Sequence, residues 1–192
     1  RLRGTPMEKV VDFINVNRDR YIDEMKRYLA IPSISALPEH KDDVRTCAQW
    51  TRDEMSRIGL QNCRLEDTPG HPIVYGEWLN APGAPTILFY GHYDVQPVDP
   101  LNLWTSPPFE ATVRDGEIYA RGAADDKGQV FMHFKAVEAH LKQHGSLPVN
   151  MKFLIEGEEE VGSANLDNFI KAHKDLLKAD VVVISEIGRA HV

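Results

Sequence analysis

The sequence predicts an α/β sandwich whose central sheet is mostly parallel. Three observations carry that reading. Helical patterns alternate with short β-rich runs, several of those runs are apolar at consecutive positions, and three of them end in acidic or imidazole side chains. Strands apolar on both faces belong inside a sheet covered on both sides. In such sheets, sites collect beyond the carboxyl ends of the strands.

The elements follow in order. Residues 7–29 place Val10, Phe13, Ile14, Tyr21, Met25 and Leu29 at helical spacing, which predicts one helix ended by "IPSIS", because proline disfavours a helical residue before it. Residues 42–59 predict a second helix, with Val44, Cys47, Trp50, Met55 and Ile58 toward the core. "CRLED", "IVYGEWL" and "TILFYGHYD" read as strands, and "ATVRDGEIYA" as a hairpin turning at Asp115-Gly116. A third helix starts near Lys127 and runs to about His144, with Val130, Phe134, Val137 and Leu141 on one face. "VNMKFLIEG" reads as an apolar strand, "ANLDNFIKAHKDLL" as a fourth helix and "ADVVVIS" as another buried strand.

Composition narrows the function. The chain has 192 residues, 42% of them hydrophobic, which suits one globular domain or one and part of another. Its 22 Lys+Arg against 29 Asp+Glu give a net charge of −7. An acidic chain without a basic cluster or a bilayer-length apolar run is expected to bind neither nucleic acid nor membrane. Cys47 and Cys63 lack CxxC partners, so a disulfide scaffold or cysteine metal site is not expected, and both read as reduced residues of a cytoplasmic protein. Charges recur every few residues near the N-terminus, unlike a signal peptide. Met7 reads as a natural start, with residues 1–6 as upstream sequence.

The strand ends hold the chemistry. In "GHYDVQP", His92 and Asp94 stand two apart, so in extended chain they point the same way. Asp94 could hold one ring nitrogen and leave the other for a metal; the plain alternative is a hydrogen-bonded histidine at a strand end. In "EGEEEVGS", Glu158, Glu159 and Glu160 follow a buried strand, so they cannot all face water. Neighbours in such a turn can divide the work, one holding a metal and one a proton. In "RGAADDKG", Asp126 fits the N-cap of the third helix, which leaves its neighbour unexplained. Asp125 is relieved of repulsion if it is shared by two divalent cations, with the small run Gly122-Ala123-Ala124 allowing close approach. His133, His140 and His144 lie on the polar side of the third helix, and His40, His71 and His173 read as surface residues.

These three motifs, in this order and spacing, resemble the M20 family of dinuclear metallopeptidases, above all its dipeptidase branch. His92 to Asp125 is 33 residues and Asp125 to Glu160 is 35, as is typical of that branch. The resemblance covers residues 7–185. It implies a three-layer α/β/α zinc-exopeptidase-like catalytic domain and hydrolysis of dipeptides or short peptides, with an N-acyl-amino-acid deacylase of the same superfamily as the alternative. A non-catalytic α/β binding domain is a further alternative, which the intact Asp125 and Glu159 disfavour. The cofactors implied are two divalent metal ions, zinc foremost, with manganese or cobalt also suited to the ligands. Carried over by position, His92 ligates one metal with Asp94 supporting its ring, Asp125 bridges, Glu160 ligates the other metal and Glu159 is the general base. Position 186 falls where the family has a ligand aspartate, and a cis peptide is implied between Asp125 and Asp126.

Two positions depart from the pattern. Ala120 replaces a usual glycine before Arg121-Gly122, and position 186 is Glu rather than Asp. The run "IGRAHV" that follows matches the translation of a common sequencing adapter, so residues 186–192 read as adapter read-through and His191 is not expected to be a ligand. On that reading the chain is truncated. The lid and dimerisation domain, the second metal's histidine and the rest of the catalytic domain are absent, so the fragment alone is expected to turn over little. The full-length protein is expected to be a homodimer.

Overall fold

The computed structural model describes residues 5–186. The expectations for residues 187–192, His191 included, and for residues 1–4 lie outside the described residues. Helix α1 (Pro6–Val16) starts at Thr5, whose hydroxyl accepts the Glu8 amide while the Glu8 carboxylate accepts the Thr5 amide. It ends at Asn17, and α2 (Arg18–Leu29) restarts at once. The single helix expected over residues 7–29 is therefore two. Asn17 Nδ2 donates to Phe13 O at 2.8 Å, beside the backbone bond from its own amide at 3.1 Å, and Oδ1 accepts from Arg20 Nε at 3.2 Å, so the side chain bonds backbone and side chain across the break.

Helix α3 (Lys41–Ile58) stops at Gly59, whose φ of 108° suits glycine. Strands β1 (Gln61–Glu66), β2 (Ile73–Trp78) and β3 (Thr86–His92) follow, then the hairpin β4 (Thr112–Arg114) and β5 (Glu117–Tyr119). Asp115 and Gly116 form the hairpin turn with φ of 52° and 84°, as the sequence predicts. Helix α4 (Lys127–His144) has the expected bounds and leads to β6 (Asn150–Glu156). The expected fourth helix is divided at His173 into α5 (Leu166–Ala172) and α6 (Lys174–Leu177). There the His173 ring places Nδ1 2.9 Å from Phe169 O, a carbonyl that also accepts the His173 amide at 3.0 Å. Strand β7 (Val181–Ile184) completes the described fold.

The sheet order is β1-β2-β6-β3-β7. Strands β6, β3 and β7 pair in parallel, while β2 is antiparallel to both β1 and β6. Four of the five strands thus point one way, and the sheet is mostly parallel in direction. One face packs Val74, Phe89, Phe153 and Ile155 against Tyr28, Val44, Met55, Val130 and Phe134 of α2, α3 and α4. The other sets Tyr75, Leu88 and Leu154 against Phe169 of α5 and Leu177 of α6. The layers are α/β/α, as expected.

Two further expectations need correction. Strand β7 is not buried: Val182 and Ile184 are 58% and 60% exposed. Among the described residues it pairs with β3 alone, and α5 and α6 leave an apolar groove beside it, walled by Leu88, Leu154, Leu166 and Leu177. His133 is not on a polar helix face either. Its ring packs on Phe89 with centroids 4.1 Å apart, and burial lowers its pKa from the ordinary histidine value.

Candidate metal centre

Parallel strands deliver their carboxyl ends to one edge. His92 closes β3 and lies in register with Glu156, which closes β6, so the residues after both strands meet there. His92 is wholly buried. Its Nδ1 lies 3.0 Å from Asp94 O and 3.3 Å from Asp94 Oδ1. Its Nε2 faces carboxylates instead: Asp125 Oδ1 at 3.1 Å, Glu186 Oε1 at 3.4 Å and Glu159 Oε2 at 3.8 Å.

These side chains form two sets of possible metal donors. His92, Asp125 and Glu160 offer ligand atoms within 4.8 Å of one another, and so do His92, Glu159 and Glu186. His92 belongs to both sets, yet Nε2 has one lone pair and serves one cation. All six candidate residues therefore sit at this edge, with Asp94 on the far side of the imidazole. A third acidic set, Glu24, Glu54 and Glu138, is already filled by the Lys135 ammonium and Arg57.

Supporting groups surround the cluster. Asp94 Oδ2 accepts the Ser35 hydroxyl at 2.6 Å and the Glu160 amide at 3.1 Å. Gln96 Nε2 donates to Glu160 Oε2 at 2.6 Å. The Asp125–Asp126 peptide is cis, as the resemblance implies. Asp126 stands at the N-cap of α4 but makes no cap bond, which corrects the sequence reading. Its Oδ2 accepts the His92 amide at 3.2 Å across a gap that Gly91 leaves open; a Cβ on Gly91 would lie 2.7 Å from that oxygen. Next to it, buried Lys127 donates from Nζ to Ile31 O at 2.7 Å and Tyr28 O at 3.3 Å, satisfying carbonyls at the end of α2.

The electrostatics follow from crowding carboxylates around one ring. Burial opposes a charge on His92, but the contact with Asp94 and the fields of Asp94, Asp126 and Glu159 outweigh it and push its pKa up to about 10. Burial is the first cause for Asp126, pushed up to about 7, and for Glu159 and Glu160, both raised. Negative charge held out of water in this way favours a proton or a cation, and a divalent cation competes for the same lone pairs.

The family model described as "Peptidase family M20/M25/M40" matches residues 88–191, the stretch that carries all three motifs. The chain belongs to this peptidase family. Among its M20 relatives, Beta-Ala-His dipeptidase of Homo sapiens is 32% identical, the match covering 94% of this chain and 38% of that protein. The Cys-Gly metallodipeptidase dug1 of Schizosaccharomyces pombe is 34% identical, covering 94% and 40%. The crystal structure of human carnosine dipeptidase 1 superposes with a TM-score of 0.88 at 33% identity, covering 96% of this chain and 42% of that one. The chain thus spans about two fifths of the length of these relatives. None of the described helices is long and apolar enough to cross a membrane.

Sequence reading missed Ser35, Gln96 and Lys127. Gln96 lies inside the motif "GHYDVQP" and its place there was a usable signal. Ser35 is 59 residues from Asp94 and Lys127 is 96 from Ile31, separations that no local pattern reveals.

Proposed function

We propose that the chain is the N-terminal part of the catalytic domain of a metal-dependent M20 dipeptidase acting on dipeptides or short peptides. One observation supports this above all: three carboxylates from separate segments, Asp125, Glu159 and Glu186, gather at the Nε2 nitrogen of a buried histidine. The donor set fits divalent metal. One imidazole with several carboxylates suits zinc, manganese or cobalt, and Asp94 at Nδ1 leaves Nε2 turned toward the carboxylates. In this reading His92 and the carboxylate at position 186 would hold one cation, Glu160 the other, and Asp125 would serve both. When bound, such cations acidify water and polarise the scissile carbonyl.

The remaining work falls to the chain's own residues. Glu159 lies beside the cluster and takes the proton of the attacking water, then returns it to the leaving amine. Gln96 holds Glu160 in place, and Asp94 fixes the His92 ring. The dipeptide substrate class is drawn from the relatives, a Beta-Ala-His dipeptidase and a Cys-Gly metallodipeptidase. A second histidine ligand, a lid and a dimer contact would come from residues beyond this chain.

The test is Glu159→Gln in the longest protein that contains this chain, assayed with β-Ala-His, Cys-Gly and N-acyl-amino acids. Turnover of a dipeptide should fall by at least about 100-fold while bound metal stays unchanged. Near-normal turnover in the variant would remove Glu159 as base. Preference for acyl-amino acids would move the assignment to a deacylase.

A further inference from the structure

We propose that Ser35 is a positioning residue of the metal centre: it holds the Asp94 carboxylate in the orientation that serves His92 and Glu160 together. The inference rests on the metal-centre reading above and adds a residue to it.

Residues 33–35 form a strap along residues 93–95. The Val95 amide donates to Ser33 O at 2.9 Å, the Ser33 hydroxyl donates to Tyr93 O at 2.7 Å, and Ile34 bridges Val95 in parallel. Lys127 anchors the root of the strap through Ile31 O. The backbone course of the strap therefore does not depend on the Ser35 side chain. That hydroxyl is spent on one atom, Asp94 Oδ2, at 2.6 Å.

Asp94 is the joint between two parts of the cluster. Its Oδ1 lies 3.3 Å from His92 Nδ1 and has no other polar partner, while Oδ2 takes the Glu160 amide at 3.1 Å. Both His92 and Glu160 are proposed metal ligands, on different cations. With no exposure to water, the carboxylate depends on protein donors alone to set its rotation. Without Ser35, Oδ2 keeps only the longer Glu160 bond, and the carboxylate turns away from the geometry that fixes the imidazole. Ligand-supporting groups of this kind commonly control metal affinity by about 10- to 100-fold.

Three variants of the full chain test it: Ser35→Ala, Ser35→Thr, which keeps a hydroxyl, and Ser33→Ala, which loosens the strap without touching Asp94. The probes are Co2+ alone, followed by its visible absorption and dissociation constant, and the ring nitrogen signals of His92 in metal-free protein at fixed pH. Ser35→Ala should weaken Co2+ binding by about 10-fold or more, change the cobalt spectrum and shift the His92 ring signals. Ser35→Thr should restore all three, and Ser33→Ala should leave the His92 signals in place. Unchanged Co2+ affinity in Ser35→Ala, or equal effects from Ser33→Ala, would overturn the proposal. If the unmodified protein takes up no Co2+, the metal-centre reading fails and the His92 signals alone decide whether Ser35 positions Asp94.

Discussion

Lys127 shows how one residue can serve two elements. It sits in the first turn of α4, where the helix dipole disfavours a cation, and it is wholly buried. The compensation lies elsewhere: its ammonium bonds the Tyr28 carbonyl in the last turn of α2 and the Ile31 carbonyl just beyond it. Lys127→Met should cost about 1.5–3 kcal/mol in urea denaturation, the range for hydrogen bonds to a charged donor. The adjacent aspartates divide in the same manner. Asp125 turns to His92 Nε2 and Asp126 to the His92 amide, so two like charges meet opposite sides of one residue. The doublet was conspicuous in the sequence, but the direction of each carboxylate depends on how the backbone turns between them, and local spacing does not encode that.

At the scale of elements, α4 was legible to the residue, because an apolar face, a polar start and Gly145 all agree on its bounds. Its start also contains a test. Glycine in a helix ordinarily gains stability on change to alanine, by up to about 1 kcal/mol. A Cβ on Gly128 would lie 2.0 Å from Ala123 O, so Gly128→Ala should instead destabilise by about 1–3 kcal/mol. A thermal melt that rises in this variant would show that the run 122–124 does not press on α4. The breaks at Asn17 and His173 were not legible, since one helix and two short helices carry the same apolar period. In both, a side chain adds a second bond to the carbonyl four residues earlier, a contact set by three-dimensional fit. Strand β7 misled for a related reason: an apolar run shows affinity for a core without showing whether its neighbours cover it.

At the scale of the whole molecule, a second charge network ties three helices together. Lys135 contacts Glu24, Glu54 and Glu138, drawn from α2, α3 and α4, and Arg57 joins the same three. Burial raises the pKa of Glu54 and Glu138, but bonds from Arg57, Lys135 and Arg20 prevail and leave both below the ordinary 4.5. Their contribution to stability is therefore full above about pH 4.5 and is lost as the pH falls through the lower folded-state values. Lys135→Met should cost about 3–5 kcal/mol near pH 7, because it strands buried carboxylates. The gap from the unmodified protein should narrow as the pH falls below 5, when those carboxylates neutralise. Denaturant titrations at pH 7 and pH 4 read this directly, and a gap that widens in acid would contradict it.

Alone, the sequence determined the α/β class, the strands that end in chemistry and the identity of the residues at the proposed centre. Those features are written in apolar period and in short motifs, which survive without knowledge of distant contacts. Tertiary structure alone decided which way β2 runs, and that Ser35 reaches Asp94 and Lys127 reaches Ile31. These depend on pairings between residues far apart in the chain, where geometry and burial select among partners that composition leaves equivalent.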